Sequence, residues 1–155
     1  MASRLRNGSI AALVAVSLIG GFEGYRATAY QDVIGVWTAC QGLTKGIKKG
    51  MTFTKKECDE KFIAAIQEHE EGMRKCLKDP DGIPIRPYIA MVSLTYNIGV
   101  GGFCKSSLPN KLNLKLYSQA CETLMSFNRA GGKIWAGLTN RRVKEKAFCN
   151  DTTPL

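Results

Sequence analysis

The sequence predicts an α+β fold in which a small antiparallel β-lobe sits between an N-terminal helix and a helical bundle. Three observations lead there. Residues 9–22 form an uncharged stretch with apolar residues at helical spacing. Glycines at 35, 42, 46 and 50 then punctuate short pieces containing Tyr30, Val33, Ile34, Val36, Trp37 and Thr38, the pattern of strands and turns. From Thr54 onward the periodicity returns to that of helices. The chain of 155 residues suits one domain over 1–155, with an apolar segment at 7–22, a β-lobe at 27–54 and a helical lobe at 55–155. No repeat or linker divides it.

The first helix admits two readings. Arg4 and Arg6 followed by an uncharged run outline an export signal. The run is short for a spanning helix, which needs about 20 residues. Cleavage near Gly20–Gly21 would also remove the helix that should support Glu23. One reading is a segment inserted into the membrane for export and later withdrawn intact. The other is an ordinary first helix that buries Ile10, Leu13, Val14, Ser17 and Leu18 along one face. Both can hold, because a withdrawn segment must pack somewhere.

Further elements follow in order. Thr54-Lys-Lys-Glu57 has the form of a capping box ahead of Phe62, Ile63 and Ile66, so a helix should begin there. Asp79-Pro-Asp-Gly82 and Pro84 break the chain. A buried helix is expected over 88–98 around Met91, Leu94 and Thr95. Others are expected over 116–127 and 139–149, with a turn at Gly131-Gly132 between them.

A formal charge of +9 favours polyanionic partners: nucleic acid, anionic membrane, or a cell wall carrying carboxylates and phosphates. The basic residues are dispersed, with no run of five, which argues against a nucleic-acid arm. Gly99, Gly101 and Gly102 lack the strand and the Gly-Lys-Ser/Thr element of a phosphate loop. They read as a turn or a close approach to a sugar. The six cysteines contain no CxxC pair, so neither a zinc ribbon nor a redox motif is supported. Their even number and wide spacing suit disulfides formed outside the cytosol, with buried thiols the alternative. Pairing Cys40–Cys58, Cys76–Cys104 and Cys121–Cys149 would tie neighbouring elements.

Glu23 falls where the first helix should end, beside Phe22. Apolar neighbours disfavour ionisation, as a general acid near neutral pH requires. Asp32 follows at the edge of the expected sheet and Thr38 on the next strand. A helix end and a hairpin could turn all three into one cleft. Two carboxyl groups suit glycosidic cleavage: one protonates the leaving oxygen while the other activates water or stabilises the oxocarbenium-like transition state. Asp32 could equally be a turn residue. His69, among Glu68, Glu70 and Glu71, reads as a solvated face residue. Trp37 and Trp135 could stack on sugars, although core packing is the simpler assignment. Arg141 and Arg142 could contact an acidic wall peptide or pair with Glu145 one turn away.

The segment Gly21-Phe-Glu-Gly-Tyr-Arg-Ala-Thr-Ala-Tyr-Gln-Asp32, with Gly35 and Thr38, resembles the signature of glycoside hydrolase family 24, the phage lysozymes. That signature is Glu, eight residues, Asp or Cys, five residues, Thr, and Glu23, Asp32 and Thr38 match every spacing. The resemblance continues through Tyr96-Asn-Ile-Gly-Val-Gly-Gly-Phe103 with Ser106, Ser107 and Leu108. It extends to Gly131-Gly-Lys, Trp135, Gly137-Leu, Arg141-Arg and Glu145. It implies a lysozyme-like fold with the active-site cleft between the lobes. It also implies a muramidase that hydrolyses the β-1,4 bond between N-acetylmuramic acid and N-acetylglucosamine, with inversion. Glu23 would be the acid, and Asp32 and Thr38 would position the water. Asn97, Gly99, Phe103 and Arg142 lie in the matching segments and are expected to meet substrate.

Where the family often carries Ile-Gly-x-Gly-His after the threonine, this chain reads Ala39-Cys-Gln-Gly-Leu. The variant resembles the exported signal-anchor-release endolysins, which carry cysteine near this point. Redox control through Cys40 is one consequence to consider. The resemblance implies peptidoglycan as partner, transient membrane association of the N-terminal segment, and action in the host periplasm. The alternative is retention in the host cytoplasm until a pore forms. No cofactor, metal or nucleic acid is expected, and a monomer is expected by default. The competing activities are a lytic transglycosylase on the same bond and a non-catalytic wall-binding module. Keeping both Asp32 and Thr38 argues for hydrolysis.

Overall fold

The computed structural model describes residues 2–155. Helix α1 (Ile10–Glu23) begins at Ser9, whose hydroxyl accepts the Ala12 amide at 3.1 Å, and stops at Gly24, where φ is 67°. Its buried residues are Ala12, Ala15 and Ile19, while Ile10 and Leu13 are exposed. The expected inner face through Ile10 and Leu13 is therefore rotated away. With no charged residue between Ile10 and Phe22, polarity cannot fix its phase. The small Ala12 and Ala15 side chains instead allow close packing. Among the described residues no helix is long and apolar enough to cross a membrane.

Strands β1 (Arg26–Gln31) and β2 (Trp37–Cys40) pair antiparallel, with Tyr30 opposite Thr38. Further short pairings at Thr28↔Thr52 and Ala39↔Leu43 close the lobe around Ala39, Cys40 and Cys58. Helix α2 (Lys55–Lys75) starts with the expected capping box: the Thr54 hydroxyl accepts the Glu57 amide at 3.1 Å, and the Glu57 carboxylate accepts the Thr54 amide at 2.8 Å. It buries Phe62, Ile66 and Met73 along one face.

Helix α3 (Ile85–Ile98) starts earlier than expected, because Pro87 fits the first turn, where its missing N–H leaves no bond unmade. Residues 87–95 are all buried, and α1, α2, α4 (Val100–Cys104), α6 (Tyr117–Thr123) and α7 (Ala136–Asn150) pack around them. This is the axis of the molecule. Short α4 and α5 (Leu108–Asn113) fill the stretch after Gly99, where only turns were foreseen. The glycine pair Gly131-Gly132 turns between β3 (Arg129–Ala130) and β4 (Lys133–Ile134), and α7 then begins a turn before residue 139.

The three disulfides are Cys40–Cys58, Cys76–Cys104 and Cys121–Cys149, the expected pairings. They join the β-lobe to α2, the end of α2 to α4, and α6 to α7. Each can stabilise by about 3 kcal/mol, mainly by restricting the unfolded chain.

A strap ahead of α1 ties the N-terminus to the body. Leu5 is buried in the main core. The wholly buried Glu70 carboxylate accepts the Ser3 hydroxyl, the Arg4 amide at 2.8 Å and the Tyr88 phenol at 2.5 Å. Burial first, then the bond to Glu70, pushes the Tyr88 phenol well above its ordinary range, so it remains a donor. The Arg4 guanidinium lies 4.4 Å over the Tyr88 ring and donates to the carbonyls of Pro80 and Ile83.

Gly72 allows α2 to approach α4: a Cβ there would stand 2.5 Å from Val100 Cγ2. Alanine normally improves a helix interior by about 1 kcal/mol over glycine. Here Gly72→Ala should instead destabilise by about 1–3 kcal/mol through overpacking. Urea denaturation measures this, and Val100→Ala in the same chain should recover most of the loss.

Candidate active site

Glu23 is the last residue of α1, so its carboxyl stands where the first helix hands over to the β-lobe. The sequence suggested apolar surroundings, but a cation meets it. Arg141 Nη1 donates to Glu23 Oε1 at 2.6 Å, from a position 118 residues later. The Arg141 guanidinium also lies 4.7 Å over the Phe22 ring. On the other side Glu23 presses against the turn after β2. A Cβ on Gly42 would come 2.8 Å from Glu23 Oε2, and Gly42 has φ +78°. Space and conformation both require glycine there.

Tyr96 of α3 joins the two lobes by donating to the Gln41 carbonyl at 3.2 Å. Burial first, then the negative charge of Glu23, pushes its phenol above the usual range, so the hydroxyl keeps its proton at physiological pH. Beside this contact opens a cavity of about 320 Å³ lined by Gly42, Thr44, His69, Tyr96 and Val100 among others. Cavities of about 740 and 570 Å³ lie under the N-terminal strap and beside the C-terminus. Glu23, Asp32 and Thr38 line none of the three cavities; the smallest is tied to Glu23 through Gly42, which lines it and against which the Glu23 carboxylate presses.

Asp32 shapes the hairpin turn. Its Oδ1 accepts the amides of Ile34 at 3.0 Å and Val36 at 2.9 Å. Oδ2 takes no hydrogen bond among the described residues. Thr38, only 4% exposed, donates its hydroxyl proton to the Val36 carbonyl at 3.0 Å. Its oxygen lone pairs stay available to a water. Two residues later Cys40 adopts φ +57°, a left-handed conformation that costs a residue with a side chain about 1–3 kcal/mol. The bond to Cys58 on α2 fastens that point of the strand.

The residues expected to meet substrate separate into two groups. Asn97 is half-buried, and its Oδ1 is buried without a partner; Gly99, with φ +87°, turns the chain from α3 into α4. These two flank the α3–α4 junction. Phe103 and Arg142 have no exposed surface and do not reach solvent in this conformation. Phe103 belongs to the core, because the α4 turn directs it inward. Arg142 pairs with Glu145, so the pairing reading of these arginines prevails over the peptide-contact reading. His69 is half-buried rather than solvated, with its ring 4.9 Å from that of Tyr96. Trp135 is 55% exposed and no core residue.

Sequence reasoning did not place Arg141, Tyr96 or Gly42 beside Glu23. The spacing of Arg141, Arg142 and Glu145 was the available signal. It revealed an ion cluster but not what the cluster touches.

Gly42→Ala should displace the Glu23 carboxyl. If Glu23 is the acid that the family resemblance implies, clearing of a peptidoglycan suspension should slow by about a hundredfold, the scale of an ångström-sized misplacement of a reacting group. The far-ultraviolet circular dichroism should stay that of the parent.

Comparison with known proteins bears on the family and the fold. The sequence model of the family described as Phage lysozyme matches residues 20–145. The SAR-endolysin of Enterobacteria phage P21 is 38% identical over 133 residues, covering 83% of this chain and 78% of the relative. That of Bacteriophage PS119 is 35% identical over 149 residues, covering 92% and 88%. Among solved structures, an endolysin from Escherichia coli O157:H7 phage FAHEc1 superposes with a TM-score of 0.81 at 26% identity, covering 96% of both chains. The active form of the P1 phage endolysin Lyz gives 0.80 at 25% identity, covering 91% of this chain and 83% of that one. With the family model matched over most of the sequence and relatives similar along most of their own length, the chain belongs to the phage lysozyme family, glycoside hydrolases that open bacterial peptidoglycan.

Proposed function

We propose that this lysozyme cleaves the β-1,4 bond between N-acetylmuramic acid and N-acetylglucosamine by direct hydrolysis, with Glu23 as the general acid. The observation that supports it is the placement of the Glu23 carboxyl. It stands at the end of α1, held by Arg141 and pressed to Gly42, which is itself a lining residue of the cavity between the lobes. Glu23 would protonate the leaving glycosidic oxygen. Asp32 would receive a proton from the attacking water at Oδ2, since Oδ1 is occupied by the turn amides. Thr38 would orient that water by accepting one of its hydrogens, its own proton being committed to Val36. Attack from the face opposite the leaving group inverts the anomeric carbon. No cofactor or metal is needed for these steps. Asn97 and Gly99 would contact the glycan beside the α3–α4 junction. We assign the β-lobe to 27–54 and the helical lobe to 55–155 of one domain, acting as a monomer.

We further propose that the N-terminal segment is exported uncleaved, through a membrane-tethered precursor, and acts in the host periplasm. The positive Arg4 and Arg6 before the uncharged stretch 9–22, and the similarity to SAR-endolysins, support this route. Disulfides formed outside the cytosol agree with it. Edman sequencing of periplasmic enzyme should begin before Arg4. A start after Gly21 refutes the uncleaved route.

Two measurements test the chemistry. Glu23→Gln should clear a peptidoglycan suspension at least about a hundredfold more slowly than wild type, the range expected when a general acid is lost. Equal clearing by both proteins would overturn the mechanism. Mass spectrometry of the products should show reducing muramic ends. Anhydro-muramic ends would instead identify a transglycosylase, and no cleavage at all a binding module.

A further inference from the structure

Arg141 reaches Glu23 with only one of its nitrogens. The rest of the guanidinium is held by groups that have no direct part in glycosidic cleavage. Its Nε donates to Glu145 Oε1 at 3.2 Å, and its Nη2 donates to the Ser93 carbonyl at 3.4 Å. Phe22 supports one face. Glu145 is wholly buried and serves several donors at once. Oε1 also accepts the Ser93 hydroxyl at 2.6 Å and Arg142 Nη2 at 2.9 Å. Arg142 Nε lies 2.6 Å from Oε2 as an ion pair, without hydrogen-bond alignment.

The charges form a balanced set. Two guanidiniums, Arg141 and Arg142, face two carboxyl groups, Glu23 and Glu145. Desolvation disfavours the charged form of Arg142, and Glu145 opposes that effect. The other titratable group facing Glu23 is Tyr96 on α3, a neutral phenol. On α2 the charged residue bonded to the adjoining Gln41 is Asp59, which pairs with Lys55. The turn carrying Gln41 and Gly42 adds no charge of its own.

We propose that Glu145 is a positioning residue of the hydrolytic reaction: with Ser93 it aims the Arg141 guanidinium at Glu23, and its charge allows two buried arginines to stand beside an acid that must hold a proton. This rests on Glu23 being that acid. When Glu23 carries its proton, Glu145 is the remaining negative charge in the cluster. Without it, two uncompensated cations would favour loss of the proton from Glu23 before the sugar oxygen can take it. Arg141 would also lose the anchor on Nε and be free to turn.

The experiment measures clearing of purified peptidoglycan across pH and substrate concentration by wild type, Glu23→Gln, Glu145→Gln, Glu145→Gln/Arg142→Met and Ser93→Ala. Glu145→Gln should lower the maximal rate at neutral pH by about tenfold or more while leaving the half-saturating peptidoglycan concentration within about twofold. Its alkaline limb should move to lower pH by about one unit. Removing one cation with the anion, in Glu145→Gln/Arg142→Met, should return the limb toward wild type. Ser93→Ala keeps every charge and should lower the maximal rate by about threefold with no change in limb.

A folded Glu145→Gln enzyme with the parental profile overturns the proposal, and so does a double variant whose limb stays displaced. If the charge variants do not fold, Ser93→Ala decides: a parental maximal rate overturns it. An active Glu23→Gln enzyme signals failure of the underlying mechanism instead.

Discussion

The ion pair between Glu23 and Arg141 is the contact on which the working geometry depends. It joins the last residue of the first helix to the last helix of the chain, across nearly the whole sequence. Arg141 is 8% exposed and Glu23 19%, so both groups have left most of their water behind. Desolvated charges are costly unless their remaining hydrogen-bond capacity is met. For Arg141 it is met by the Ser93 carbonyl on α3 and by Glu145 on α7, with the Phe22 ring of α1 stacked on the guanidinium face. Helix α7 therefore turns an ion cluster toward the molecular centre, with Arg141, Arg142 and Glu145 as its buried residues beside Cys149. Such an arrangement adds little net stability, but it leaves the guanidinium few alternative orientations.

Other features hold the two ends of that contact in place. α1 is anchored at its start by the strap over Glu70 and Tyr88, and its far end abuts Gly42. The β-lobe, whose own core is only Ala39, Cys40 and Cys58 with a few partly buried neighbours, is too small to be rigid by hydrophobic burial alone. Cys40–Cys58 and the Tyr96–Gln41 hydrogen bond tie it to α2 and α3. The main core belongs to the helices, and the cavity opens between this firm body and the smaller lobe. That division suits the hydrolysis proposed above, with its acid at the end of α1 and its water-positioning residues on the hairpin.

Much of the architecture was legible because its causes are local. The capping box at Thr54 depends on two side chains three residues apart, and it formed as written. The glycines of the hairpin region forecast turns, and Gly35, Gly42, Gly46 and Gly50 all adopt positive φ. The phase of α1 was not legible, since residues 10–22 carry no charge to mark a polar face, and Ala12 and Ala15 took the inside together with Ile19. Pro87 was read as a boundary when its place in the first turn made it harmless. A candidate trio could be proposed from its spacing, but the partners of Glu23 could not. Arg141 and Gly42 come from different parts of the chain, and only packing makes them neighbours.

The sequence by itself determined the order of elements, the helix caps, the turn chemistry at Asp32 and the candidate carboxyl groups. Each of these follows from backbone preference or from hydrogen bonds spanning a few residues. Tertiary structure decided which face of α1 is buried, that Arg142 points into the body while Arg141 reaches the acid, and that Glu145 serves both. The physical reason is that buried charges must find partners wherever the packed chain offers them, and those partners lie at sequence distances over which no local pattern extends.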